Sequence, residues 1–358
     1  MAKWIDQIMQ SENRIAVPIM THPGIEEIGK RVIDAVTDGE THYQAIKALA
    51  DKYETGACTV IMDLTVEAEA FGCQIGFAED EVPNVVNRLV YDSASIEALP
   101  IPEMTQGRLP EYLKANKLAV ENITDRPVLA GCIGPYSLAG RLYDMSEIMV
   151  AIYIEPDTIH VLLEKCTAFI LDYCRELKRI GVQGVIMAEP AAGLLSNEDC
   201  QAFSTDYVRR IVDALQDDGF SIVLHNCGNK GQCTQAMIAS GAAGLHFGNA
   251  IDMQEALEEC PSDVLVMGNL DPVGIFKQAT PEAVYSATIA LLRETRKYKN
   301  FVISSGCDIP PHTPDSNIQA FFEAVNRYNL SYKSTTVQRN YPIGSVDLNR
   351  NHSSDVLV

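Results

Sequence analysis

The pattern of this chain predicts an α/β fold, a distorted (β/α)8 TIM barrel with an inserted segment after its second strand. Three observations predict it. Eight short apolar runs alternate with stretches of helical period, so successive strands lie parallel. A count of eight favours a closed barrel over an open sheet. The 358 residues, 47% apolar and 7% aromatic, suffice for one barrel of above-average size.

The strand runs are residues 15–20, 58–62, 128–132, 184–188, 221–225, 244–247, 264–267 and 301–304. Between residues 157 and 178, apolar positions at 161, 162, 166, 169, 170 and 173 mark one face of a helix, and similar patterns cover 198–216, 232–240, 281–298 and 314–327. The rhythm breaks at about 71–125. There GFAEDEVPNVVNRLVYDS and the proline-marked LPIPEMTQGRLP predict a hairpin or paired extended segments, then a helix, covering one side of the barrel mouth. Residues 1–330 form a single catalytic barrel domain in this reading, and the polar, Ser- and Asn-rich 331–358 a C-terminal extension.

Charge and cysteine content narrow the function. With 28 basic and 48 acidic residues the formal charge is -20, which argues against nucleic acid or an anionic membrane as partner and is compatible with a basic or neutral protein. The ten cysteines are scattered and follow no apolar leader; MAKWIDQIMQSENR reads as a short amphipathic segment, so a cytoplasmic protein is expected. No window approaches 18 consecutive apolar residues, and no HExxH, P-loop or GxSxG motif occurs.

Barrel chemistry sits at the carboxyl ends of the strands. His225 and Cys227 in SIVLHNCGN end one strand run and Cys307 in FVISSGCDIPP ends another; two residues apart on extended chain, His225 and Cys227 point to the same side. A His/Cys/Cys set suits Zn(II), and three protein ligands leave a position for water or substrate. Two thiolates and a neutral imidazole already cancel the charge of Zn(II). Such a site is poorly electrophilic and better suited to holding a nucleophilic thiolate for alkyl transfer than to hydrolysis.

The segments IMAEPAAGLLS, HNCGN, MGNLDP and SSGCDIPPHTP, in this order, resemble the uroporphyrinogen decarboxylase superfamily over about residues 1–330. The set His225, Cys227, Cys307 resembles that of its zinc-dependent corrinoid methyltransferase branch. The resemblance implies a barrel whose mouth accepts the corrinoid of a separate small protein, with zinc activating a small thiol such as coenzyme M. Transfer in the opposite direction, from a small methylated donor to the corrinoid protein, stays open, as does a non-catalytic barrel subunit of a methyl-transfer complex. The decarboxylases themselves carry an arginine-rich segment near the first strand, whereas RIAVPIMTHPG keeps only Arg14.

Other candidates stand at strand ends. Glu189 either orients a zinc ligand or manages a proton, or else caps the helix beginning near Asn197 or serves structure. His246 either touches the corrinoid or substrate or is a hydrogen-bonded wall residue. In GCIGPYSLAGRL, Gly134 and Tyr136 are candidates for close approach of the corrinoid, against a plain glycine-proline turn into a helix. His22 is a candidate pocket residue, Asn269 a candidate cofactor contact or turn former, and His312 a loop residue. Asp63, Glu67 and Glu69 resemble the acidic groups at the mouth of these barrels.

Overall fold

A computed structural model describes residues 3–340. Its main sheet is parallel throughout and runs in the order β1 (Cys58–Thr59), β4 (Val128–Ile133), β5 (Gly184–Ala188), β6 (Ser221–Asn226), β7 (Gly244–Phe247), β8 (Leu265–Leu270) and β9 (Phe301–Ser305). The intervening β2 (Ile75–Gly76) and β3 (Asn84–Val85) pair antiparallel as a separate hairpin. Helices cover the outer surface of the sheet, among them the amphipathic Pro156–Ile180.

Closure of the barrel falls to residues 15–20, which make only one parallel bridge, Ala16 with Ile303, where a full strand is predicted. Pro18 has no N–H to give a ladder, so side chains take over. Val17 N–H donates to the Ile303 carbonyl at 3.0 Å and Gly56 N–H to the Ala16 carbonyl at 2.8 Å, joining both edges of the sheet. Beyond the proline, Ile19 N–H goes to Ser305 Oγ and Met20 N–H to Thr59 Oγ1, each at 3.1 Å. The second run is shortened for a related reason. The N–H of Ile61 is taken by His42 Nε2 at 3.1 Å, and burial holds His42 at a pKa of about 3, so its ring is a neutral acceptor.

Alternating strand residues sort into two cores. Ile19, Leu129, Ile186, Val223, Met267 and Val302 fill the barrel, whereas a larger set packs between strands and helices. The amphipathic segment at the start of the chain is the helix Lys3–Gln10, and it stoppers the barrel floor. Trp4 and Ile5 join the interior core there, and Trp4 Nε1 donates to Ser221 Oγ at 3.0 Å.

The insert contains the β2–β3 hairpin and the helices Ser93–Ala98 and Leu109–Asn122. Its Arg108 reaches back to Asp63 and Glu69 at 2.5 and 2.6 Å and to Thr65 Oγ1 at 2.8 Å. At the other end, the helix predicted for 314–327 continues as Asp315–Asn340, through the start of the expected extension; the remainder of that extension, 341–358, lies outside the described residues.

Candidate metal centre

His225 is on the interior face of β6, buried among apolar strand residues, and Cys227 lies just past the strand. The turn is set by Asn226, whose Oδ1 accepts from the N–H groups of Gly228 and Asn229, both at 3.1 Å. Cys307 follows β9, where Gly306 N–H bonds the Leu270 carbonyl at 2.6 Å. The loop after β7 joins the two cysteine loops. A Cβ on Gly248 would stand 2.7 Å from Cys227 Cα, and one on Gly306 2.7 Å from Asn249 N, so both contacts require glycine.

This packing brings one ligand atom each of His225, Cys227 and Cys307 within 4.8 Å of one another. The Cys307 Sγ to His225 Nε2 distance is 3.6 Å. Tetrahedral zinc with S and N ligands at 2.0–2.3 Å spaces its donors by about 3.5 Å, so the set fits such an ion with slight contraction. Both thiols are free and half-buried. They share a proton: a hydrogen bond from Cys307 pulls the Cys227 thiol below its usual range, while the same bond and burial push Cys307 up.

His246 and Ser304 stand behind His225. His225 Nδ1 is 2.8 Å from His246 Nδ1, and His246 Nε2 is 2.9 Å from Ser304 Oγ. Burial, with the neighbouring His225, holds His246 well below its ordinary pKa, hence neutral. If the Nε2 lone pair of His225 faces a metal, its Nδ1–H donates to His246, whose Nε2–H donates to Ser304. This is the outer-shell arrangement that fixes a ligating imidazole. His246 is fully buried and is in this arrangement a positioning residue. Ser304 was not among the sequence candidates, since nothing in the motif marks it.

Glu189 caps a helix other than the one near Asn197. Its carboxylate accepts from Tyr136 N–H at 2.9 Å, Ser137 N–H at 2.8 Å and Ser137 Oγ at 2.7 Å, at the start of the helix Pro135–Tyr143. The helix near Asn197 is capped by Ser196. Burial pushes Glu189 up to about 7 against these bonds. A Cβ on Gly134 would come within 2.3 Å of the Glu189 side chain. Gly134 and the Tyr136 backbone therefore make room for this carboxylate, a role different from the corrinoid contact expected of them.

Asn269 holds the β7 and β8 loops together, its Nδ2 donating to the Gly248 and Ile251 carbonyls at 2.9 and 2.8 Å. His22 is buried, with Nδ1 3.3 Å from an Asp308 carboxylate oxygen beside Cys307. Burial pulls its pKa down, but the charge and hydrogen bond of Asp308 together with the charges of Asp63 and Glu26 raise it overall. His312 is an exposed loop residue 3.3 Å from Glu26. Arg14 lies away from the mouth, donating to the carbonyls of Thr295, Arg296 and Tyr298.

Comparison with known proteins gives the same picture of the fold. A solved methyltransferase from Methanosarcina mazei superposes with a TM-score of 0.82 at 20% identity, covering 90% of this chain and 97% of that one. A B12-independent methionine synthase from Shewanella is more distant, with a TM-score of 0.57 at 14% identity over 84% and 89%. The methylcobamide:CoM methyltransferase MtbA of Methanosarcina acetivorans is 29% identical over 285 residues, 76% of this chain and 80% of the relative. A uroporphyrinogen decarboxylase of Erwinia tasmaniensis is 27% identical over 78% of this chain and 81% of its own length. Among the described residues no helix is long and apolar enough to cross a membrane. The profile of the family described as uroporphyrinogen decarboxylase (URO-D) matches residues 14–328, and the chain belongs to that family.

Proposed function

We propose that this chain is a zinc-dependent methyltransferase that moves a methyl group from a corrinoid carried by a separate protein to a small thiol such as coenzyme M. The observation that carries the reading is the convergence of His225, Cys227 and Cys307 at the carboxyl ends of β6 and β9. Bound there, Zn(II) lowers the pKa of a thiol, so that thiolate is present near neutral pH. Cys227 and Cys307 as thiolates and His225 as a neutral imidazole would hold the ion, and the two thiolates would offset its charge. His246 and Ser304 fix the tautomer of His225, and Glu189, whose N–H donates to the His225 carbonyl at 2.8 Å, holds the helix Pro135–Tyr143 beside the centre. In such a transfer the thiol would give up its proton, its sulfur would take the methyl group, and the electron pair of the broken bond would stay with the corrinoid.

The convergence of His225, Cys227 and Cys307 supports this reading over decarboxylation, and so does the position of Arg14, whose guanidinium is committed to carbonyls away from the mouth. The test is metal content on protein purified without chelator, with free methylcobalamin and a panel of thiols. One zinc per chain and thiol-dependent loss of the methylcobalamin spectrum are expected. Zinc without turnover of any thiol would move the reading to methylated donors and the reduced corrinoid.

A further inference from the structure

We infer that Arg141 receives the negatively charged end of the small substrate, a sulfonate or a carboxylate, while its sulfur end lies at His225, Cys227 and Cys307. The inference rests on the methyl-transfer reading above and adds the residue that holds the acid group of the substrate.

Arg141 lies in the last turn of the helix Pro135–Tyr143, which leaves the carboxyl end of β4. Ser137, one turn earlier on the same side of the helix, is bonded to Glu189 at the end of β5. From the other side, Asp63, past the end of β1, is the acidic group whose field reaches Arg141. Arg141 therefore stands over the β1–β4–β5 part of the barrel, and the metal ligands stand on the part bounded by β6 and β9.

Asp63, Glu69 and Glu189 are already engaged. Arg108 neutralises Asp63 and Glu69, and the Glu189 carboxylate accepts three hydrogen bonds at the start of the helix. Arg141 is half-buried and, among the described residues, makes no hydrogen bond or ion pair. Burial lowers its hold on the proton and Asp63 offsets only part of this, yet an arginine stays charged. A partly buried cation without a close partner costs stability, which an arriving anion restores. In a chain of formal charge -20, with acidic groups in excess, such a cation stands out as a receptor for an external anion. The planar guanidinium fork matches sulfonate and carboxylate oxygens.

Two readouts test it on the protein as purified. Calorimetric binding of ethanesulfonate and of propionate, which lack a thiol, is compared in wild type, Arg141→Gln and Arg141→Lys. Arg141→Gln should weaken anion binding about 10- to 100-fold, Arg141→Lys should recover part of it, and metal content should be unchanged. In the methylcobalamin assay Arg141→Gln should raise KM for coenzyme M and 3-mercaptopropionate and leave 2-mercaptoethanol as it was. Wild-type protein that binds neither anion, or an Arg141→Gln protein that binds them equally well, would overturn the inference. Anion binding lost in Arg141→Gln while no thiol is methylated by wild type would sustain the role of Arg141 and refute the thiol reading.

Discussion

At the scale of single residues, the centre depends on two thiols and one imidazole whose orientation is fixed from behind. Cys307→Ala leaves two ligands of three, and should reduce bound zinc by at least about tenfold, read by elemental analysis after gel filtration. His246→Ala keeps all three ligands but removes the acceptor for His225 Nδ1–H. Its zinc affinity should fall about 10- to 100-fold in chelator competition, with the fold retained by circular dichroism. A further residue-level prediction concerns Glu67, which is buried with Oε1 accepting from Ile133 N–H at 3.0 Å and Oε2 without a partner. Burial pushes its pKa from 4.5 to about 7, so the folded state binds the proton more tightly than the unfolded one. The stability it contributes is full below about 4.5 and is lost as pH rises through about 7. Urea unfolding at pH 5 and pH 7.5 should show a smaller loss across this window in Glu67→Gln than in wild type; an unchanged loss would count against the assignment.

At the scale of elements, several devices hold the site in place. Glu189 ties the β5 end to the start of Pro135–Tyr143 through two backbone N–H groups and a hydroxyl, so Glu189→Ala should destabilise the fold by about 2–3 kcal/mol in denaturant titration. Most strand positions were legible in the sequence, because Gly184–Ala188, Ser221–Asn226 and Gly244–Phe247 are apolar runs bounded by turn residues. The weak ones fail for local reasons: Pro18 denies residues 15–20 a regular ladder, and His42, distant in sequence from Ile61, stops the second run early. The convergence of His225, Cys227 and Cys307 was legible because residue type and strand-end position coincide. The partners of Glu189, Asn269 and His246 were not, since each bond joins separate elements and no local pattern encodes it. The cation Arg141 was missed for the opposite reason: its significance lies in how the surrounding acids are paired.

At the scale of the whole molecule, the barrel separates stability from chemistry. The floor is sealed by the helix Lys3–Gln10, and the chain's single tryptophan, Trp4, sits in that seal. Its fluorescence therefore reports barrel unfolding directly, and Trp4→Ala should cost about 3–5 kcal/mol without changing zinc content. The opposite end carries His225, Cys227 and Cys307, the insert and Arg141. The acidic balance of the chain is compatible with a basic or neutral protein partner. The measurement that tests the central claim most directly is zinc analysis of protein purified without chelator, joined to the decay of methylcobalamin absorbance with coenzyme M. The account predicts one zinc per chain and thiol-dependent decay, both lost in Cys307→Ala. Thiol-dependent decay that persists in Cys307→Ala, or a wild-type protein that binds no zinc, would contradict it.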